Sequence, residues 1–259
     1  MNFSRYVALG DSFTEGVGDP DPYLPNEVRG WADRFAAEMA RSNPEFTYAN
    51  LAIRGRKLRP ILAEQLAPAL VMKPDLVSIY AGANDVLRPS VDIDSLMDDL
   101  EAGIAMIRGA GAHVVMFTAF DPGYSKIFGM MRGRFAIYSE YVREISEKYE
   151  TSLVDFWRLR EYRDSRMWDQ DRMHMSAAGH QRMAMAVLDT LGIDHKLERL
   201  ELVELPQLTA AEIRKANFNW ASAYAGPWVK RRLTGVSSGD NLSPRWPSLE
   251  RPDFNLTQS

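Results

Sequence analysis

No cysteine occurs in the 259 residues, which excludes disulfides, a thiolate nucleophile and cysteine-ligated metal. Covalent chemistry in this chain must use oxygen or imidazole, and only four histidines are available. A basic excess is also lacking. The 31 Lys and Arg stand against 35 Asp and Glu, for a net charge of −4 and a pI near 5.7. Such a balance gives no field to attract nucleic acid or an anionic membrane, so neither is an expected partner. No apolar run approaches a membrane span, and the first strand begins almost at Met1, without the basic and apolar regions of a secretory leader. These absences predict a cytoplasmic protein with no stable membrane association. The Asn255-Leu256-Thr257 sequon then has no use.

What is present is 46% hydrophobic residues, enough for the core of one large α/β domain. Tyr6-Val7-Ala8-Leu9 is a short apolar run that reads as a buried strand ending in the glycine-punctuated Gly10-Asp11-Ser12. A proline-rich loop, Asp19 to Asn26, follows and is expected to lie over the crevice. Helices are predicted over about 30–41, 58–72, 93–110, 135–149 and 176–191, from apolar positions such as Leu96, Leu100, Ile104 and Ile107 at helical spacing. Strands are predicted at 46–51, 76–81, 114–118 and 152–156. This alternation favours a five-stranded parallel sheet with helices on both faces. Residues 1–192 read as that domain. Residues 193–259 read as one further helix, Thr209 to Ala223, and a Pro/Ser/Gly/Arg-rich tail packed on the same domain. Lys230-Arg231-Arg232 within it is most simply a solvated surface, and its sharper reading is a contact between copies in a homo-oligomer.

Four segments fall at strand ends or before the last core helix: Gly10-Asp11-Ser12, Asn50 through Gly55, Gly82-Ala83-Asn84-Asp85, and Asp171-Arg172-Met173-His174. A serine is a poor nucleophile at its free pKa, so an imidazole must take its proton, and a carboxylate must fix that imidazole's tautomer. Ser12, His174 and Asp171 supply these groups. The three-residue separation lets a turn return the Asp171 carboxylate to the ring's Nδ1, leaving Nε2 free to face Ser12. An oxyanion needs preorganised donors, for which the Ser12 and Gly55 amides and the Asn84 side chain are candidates. Each residue alone has a structural alternative, as a helix start, turn pair or left-handed glycine; the set in this order favours acyl transfer. His180 is expected to pack inside the last helix, and Asp11 to hold the first turn.

Gly10-Asp11-Ser12-Phe13, Gly55, Asn84 and the closing Asp171-x-x-His174 together resemble the motifs of the GDSL-type, or SGNH, hydrolase family of esterases and lipases. The departure is Phe13, where the family usually has leucine, an exchange of apolar anchors. The resemblance covers roughly residues 5 to 192. It implies a three-layer α/β/α flavodoxin-like fold, a Ser-His-Asp triad, and hydrolysis of a small-molecule ester without metal or cofactor.

Arg54 and Arg56 flank Gly55, and a guanidinium there would favour an ester bearing a carboxylate, phosphate or polar sugar; the alternative is a pair of surface arginines. Ile127, Phe128, Met130 and Met131 either line an acyl pocket under a lid or pack against the body. The same triad would serve an acyltransferase or thioesterase. A non-catalytic flavodoxin-like binding module is the alternative outside catalysis. Flavin is disfavoured, because the first turn offers a single Ser and Thr instead of a run of hydroxyls and glycines.

Overall fold

The computed structural model describes residues 2–125 and 128–252, without the side chains of Arg232 and Leu233; Ile127 and the Asn255-Leu256-Thr257 sequon lie outside the described residues. The strands are β1 (Arg5–Gly10), β2 (Thr47–Asn50), β3 (Leu76–Tyr80), β4 (His113–Phe117), β5 (Ser152–Val154) and β6 (Trp246–Glu250). They form one sheet in the order β5-β4-β3-β1-β2-β6. The first five are parallel in a flavodoxin-like order, and β6 runs antiparallel along the outer edge of β2.

Side chains of the central strands alternate between two cores, as the pleat requires. Val7, Leu9, Val77 and Ile79 face one core, and Tyr6, Ala8, Leu76 and Tyr80 face the other. The first core is closed by α3 (Leu58–Ile61), α4 (Ala67–Val71), α6 (Ile93–Gly109) and α7 (Arg132–Lys148), the second by α2 (Trp31–Ser42) and α8 (Ala177–Leu191). The stripe predicted on α6 is the buried one, Leu96, Leu100, Ile104 and Ile107. Single-turn helices α1 (Ser12–Glu15) and α5 (Ala83–Val86) follow β1 and β3.

Three features differ from the sequence expectation. The sheet has a sixth strand, which no alternation marks: Trp246-Pro247-Ser248-Leu249-Glu250 is largely exposed and contains a proline, a residue that only an edge position tolerates. The helix expected to end at Ala223 does not stop at Gly226-Pro227. Instead α9 (Ala210–Trp220) passes through a π-helical turn, Ala221–Ala225, into α10 (Gly226–Thr234), and that turn accommodates Pro227, which has no amide for a regular helix bond. Finally, the loop at Asp19 to Asn26 does not cover the crevice. It is fastened beside α1 by Asp19 to Arg34, by Asn26 to Glu15 and by the Pro25 carbonyl to Arg245.

Arg245, just before β6, is buried and ion-paired to Asp33 of α2 at 2.5 Å, with both side chains fully enclosed. The same guanidinium donates to the Glu15 carbonyl at 3.0 Å. Asp33 also accepts from the Gly30 amide, the Tyr48 hydroxyl and the Trp246 indole N–H. Breaking a buried pair from one side leaves an uncompensated charge, at a cost of about 3–5 kcal/mol. Arg245→Met should therefore lower unfolding stability by that amount in urea titrations. The double variant Asp33→Leu/Arg245→Met should lose distinctly less than the sum of the two single changes, and simple additivity would contradict the pairing.

Candidate active site

In the strand order the chain steps outward from β1 to β2 on one side and to β3 on the other, so the carboxyl ends of β1 and β3 flank the topological switch point where a crevice opens. Ser12 leaves β1 there and Asn84 leaves β3. Gly10 ends β1 with φ +150°, and a β-carbon would come within 2.6 Å of Thr14 Oγ1 and 2.8 Å of the Tyr80 carbonyl. Only glycine fits. The Gly10 amide donates to Gln65 Oε1 and its carbonyl accepts from Gln65 Nε2, both at 2.9 Å. Gln65 can do this because Leu62–Leu66 runs as a π-helical turn between α3 and α4, ahead of Pro68, which has no amide for a regular helix bond.

Asp11 caps α1: its Oδ1 accepts from the Phe13 amide at 3.0 Å, so Ser12 occupies the first helical position. Phe13 anchors the turn, its ring 4.4 Å from that of Tyr80 and 5.3 Å from that of Phe117. Asp11 Oδ2 accepts from Asn84 Nδ2 at 2.8 Å. Burial pushes the Asp11 carboxyl up to about 7, against the Phe13 amide and nearby His174, which act in the opposite direction.

Across the cavity, Asp171 Oδ2 lies 2.5 Å from His174 Nδ1. Asp171 Oδ1 accepts from the amides of Met173 and His174 at 2.8 and 2.9 Å. Arg172 takes φ +58° to turn the chain back, and its guanidinium lies 5.0 Å from the Trp220 ring. Burial alone would raise the Asp171 pKa, but the bonds from His174 and Met173 outweigh it and hold the carboxyl below its ordinary value. An ionised Asp171 fixes the proton on Nδ1 and leaves the Nε2 lone pair open. Ser12 and His174 line the same cavity without a hydrogen bond between their side chains.

Gly55 has φ +78°, and a β-carbon there would overlap the Ser237 hydroxyl. The Ser12 and Gly55 amides donate to no described residue, and both residues line the cavity. Asn84 differs: its Nδ2 donates to Asp11 and, at 3.1 Å, to the Arg56 carbonyl. It must give up one bond to serve an oxyanion. Arg54 lines the cavity, but its guanidinium is bound to the wholly buried Glu15, Nη2 to Oε1 at 2.8 Å and Nε to both oxygens at 3.0 Å. Arg56 is paired with Glu64 and Asp240. Glu15, Gln65 and Arg245 were not singled out from sequence. A carboxylate in the turn just after the apolar run of β1 is a signal for Glu15 alone.

The cavity encloses about 490 Å³. Its apolar wall includes Phe120, Phe128 and Trp168, with Tyr224 and Trp228 from the C-terminal segment. Phe128 is largely buried and meets Phe120 and Trp228 edge-on at 6.5 and 6.3 Å. Met130 is 90% exposed, and Met131 packs on the core under α7. No residue of the Asp19 to Asn26 loop lines the cavity. His180 is fully buried, its Nδ1 accepting from the Trp31 amide and its Nε2 donating to the Val17 carbonyl, and burial pushes its pKa down to about 3. Among the described residues no group of three or more His, Asp or Glu is gathered to hold a metal ion.

The Asp11 pKa gives a stability signature. Between its ordinary value of 3.8 and about 7, the folded chain holds a proton that the unfolded chain has released, so this group makes stability fall as pH rises through that window. Asp11→Asn lacks the loss. From about pH 4.5 to pH 7 its unfolding free energy should gain roughly 3 kcal/mol relative to the unsubstituted chain. Parallel stability curves in urea would show that Asp11 is ionised throughout.

No curated protein matches the sequence. Among solved structures, an α/β hydrolase enzyme from the metagenome of Lake Arreo, Spain, superposes with a TM-score of 0.62 at 24% identity, covering 73% of this chain and 95% of that one. An acetylxylan esterase from Geobacillus stearothermophilus gives 0.60 at 22% identity over 75% of this chain and 98% of its own. TesA gives 0.60 at 23% identity over 72% and 97%. Likeness at these identities is likeness of fold. Residues 8–182, which hold the Ser12 turn, the Gly55 and Asn84 loops and the Asp171–His174 pair, match the model of the GDSL-like lipase/acylhydrolase family, and the chain belongs to that family.

Proposed function

We propose that this chain is a serine esterase that hydrolyses carboxylic esters of small or medium acyl groups through an acyl-enzyme. The observation that carries the reading is the 2.5 Å Asp171–His174 bond, set in the same cavity as Ser12 and two undonated amides. Family membership supports hydrolase chemistry. So does the acetylxylan esterase, whose catalytic mutants alter a serine, an aspartate and a histidine.

Ser12 Oγ attacks the ester carbonyl carbon while its proton passes to His174 Nε2, and Asp171 stabilises the imidazolium. The carbonyl electron pair moves onto oxygen, where the Ser12 and Gly55 amides meet it, joined by Asn84 once it exchanges a bond to Asp11 or the Arg56 carbonyl. Collapse expels the alcohol, protonated by His174, and leaves the acyl group on Ser12. Water, deprotonated by His174, then releases the acid and restores the serine. The Ser12–His174 hydrogen bond forms with substrate in place, as catalytic contacts commonly tighten then.

The chain should release nitrophenol from a short p-nitrophenyl ester and be labelled at Ser12 by a fluorophosphonate. Ser12→Ala should abolish both. Absence of both activities in the unsubstituted chain would mean that the esterase reading is wrong. Asn84→Ala should lower kcat by about 10²–10³, the usual effect of losing one oxyanion donor, with KM changing less. A loss below tenfold would remove Asn84 from the oxyanion site.

A further inference from the structure

The cavity runs against the charge of the molecule. The chain carries a net −4, yet the lining holds four cations, Arg54, Lys57, Arg88 and Arg231, against two carboxylates, Asp11 and Asp171. Pairing divides these cations. Arg54 is neutralised by Glu15, and Asp171 is engaged by His174. Lys57, Arg88 and Arg231 form no ion pair with a described residue. Arg88 is fixed beside the proposed oxyanion site by Nη1 donating to the Asn84 carbonyl at 2.9 Å. Asp85 is near Lys57 and Arg88, but its Oδ2 accepts from the Leu58 amide at 3.0 Å and it makes no ion pair with either cation. Arg231 comes from α10, outside residues 8–182, and shares that helix with Trp228 of the apolar wall.

Given the esterase reading, on which this rests, we infer that the cavity selects esters carrying an anionic group, a carboxylate or phosphate, which Lys57, Arg88 and Arg231 bind while the apolar wall takes the rest of the substrate. Lys57 is exposed at the rim, whereas Arg88 and Arg231 are half-buried on a concave, partly apolar wall, where unpaired cations concentrate and orient an anion more strongly than in open solvent. The geometry relocates charge recognition from Arg54, which Glu15 neutralises, to three residues on separate segments. It also gives the C-terminal helix a direct part in substrate choice.

Two matched pairs of esters test this on the full chain. Mono-p-nitrophenyl glutarate against p-nitrophenyl pentanoate puts the charge on the acyl side, and p-acetoxybenzoate against its methyl ester puts it on the leaving group. The expected result is a kcat/KM ratio favouring the anion by about tenfold or more in at least one pair. That ratio should fall towards one in Arg231→Met and separately in Lys57→Met, mainly through KM, and should fall with added salt. Ratios near one in both pairs, or ratios unmoved in both variants, overturn the inference. Neutral esters hydrolysed at such ratios would leave the esterase reading standing. Hydrolysis of no ester together with no fluorophosphonate labelling would overturn both readings.

Discussion

The site depends on a carboxylate that water does not reach. Glu15 stands three residues after Ser12 with its side chain wholly buried, where an uncompensated charge would cost several kcal/mol. Its oxygens are satisfied by the Arg54 guanidinium, the Arg54 amide at 2.5 Å and Asn26 Nδ2 at 3.0 Å. Because those donors must be present for the charge to stay buried, the end of the Ser12 turn and the loop carrying Gly55 cannot separate without exposing or stranding it. The relative placement of the Ser12 and Gly55 amides is thus tied to an electrostatic requirement. Propensity in either loop does not set it. The Glu15 carbonyl receives Arg245 in turn, which links the Ser12 turn to the segment ahead of β6.

The same reasoning extends to the far wall. Asp171 is held below its ordinary pKa by hydrogen bonds from its own turn, and that turn is braced from outside. Trp220 Nε1 donates to the Asp171 carbonyl at 2.8 Å, and Arg172 Nη1 donates to Asn217 at 2.8 Å. A non-glycine residue at φ +58° such as Arg172 costs on the order of 1 kcal/mol or more. The stacking on Trp220 and the bond to Asn217 compensate for it.

Much of this was legible in the sequence. The parallel sheet and its helices could be read because fully buried strands are continuous apolar runs, and because α6 repeats its apolar residues at helical spacing. That Ser12, Asp171 and His174 share one cavity could be anticipated because candidate nucleophiles and bases are drawn from few residue types in a cysteine-free chain. β6 could not, since an edge strand exposing most of its side chains has no pattern to declare. Nor could the continuation through Gly226-Pro227, where both residues signal a stop and a π-helical turn overrides them. The partners of Arg54 were hidden for another reason: Glu15 is 39 positions away, and nothing local in the sequence indicates that two such residues meet. Asn84 shows the same limit, since its motif position does not reveal that both its amide protons are engaged.

The C-terminal segment touches each side of the cavity. Ser237 lies over Gly55 and donates to the Arg54 carbonyl at 3.2 Å, Trp220 supports the Asp171 turn, and Trp228 meets Phe128 between them. A segment that contacts the Gly55 loop, the Asp171 turn and the apolar wall fixes their mutual spacing, so its position and the width of the cavity are one variable. It lies beyond residues 8–182, the part shared with the family. The candidate reacting groups therefore lie within the family-matched region, whereas part of the cavity wall, Tyr224, Trp228 and Arg231, comes from the segment beyond it. Substitutions that loosen α9 or α10 act on two contacts, the Asp171 turn through Trp220 and the cavity wall through Trp228.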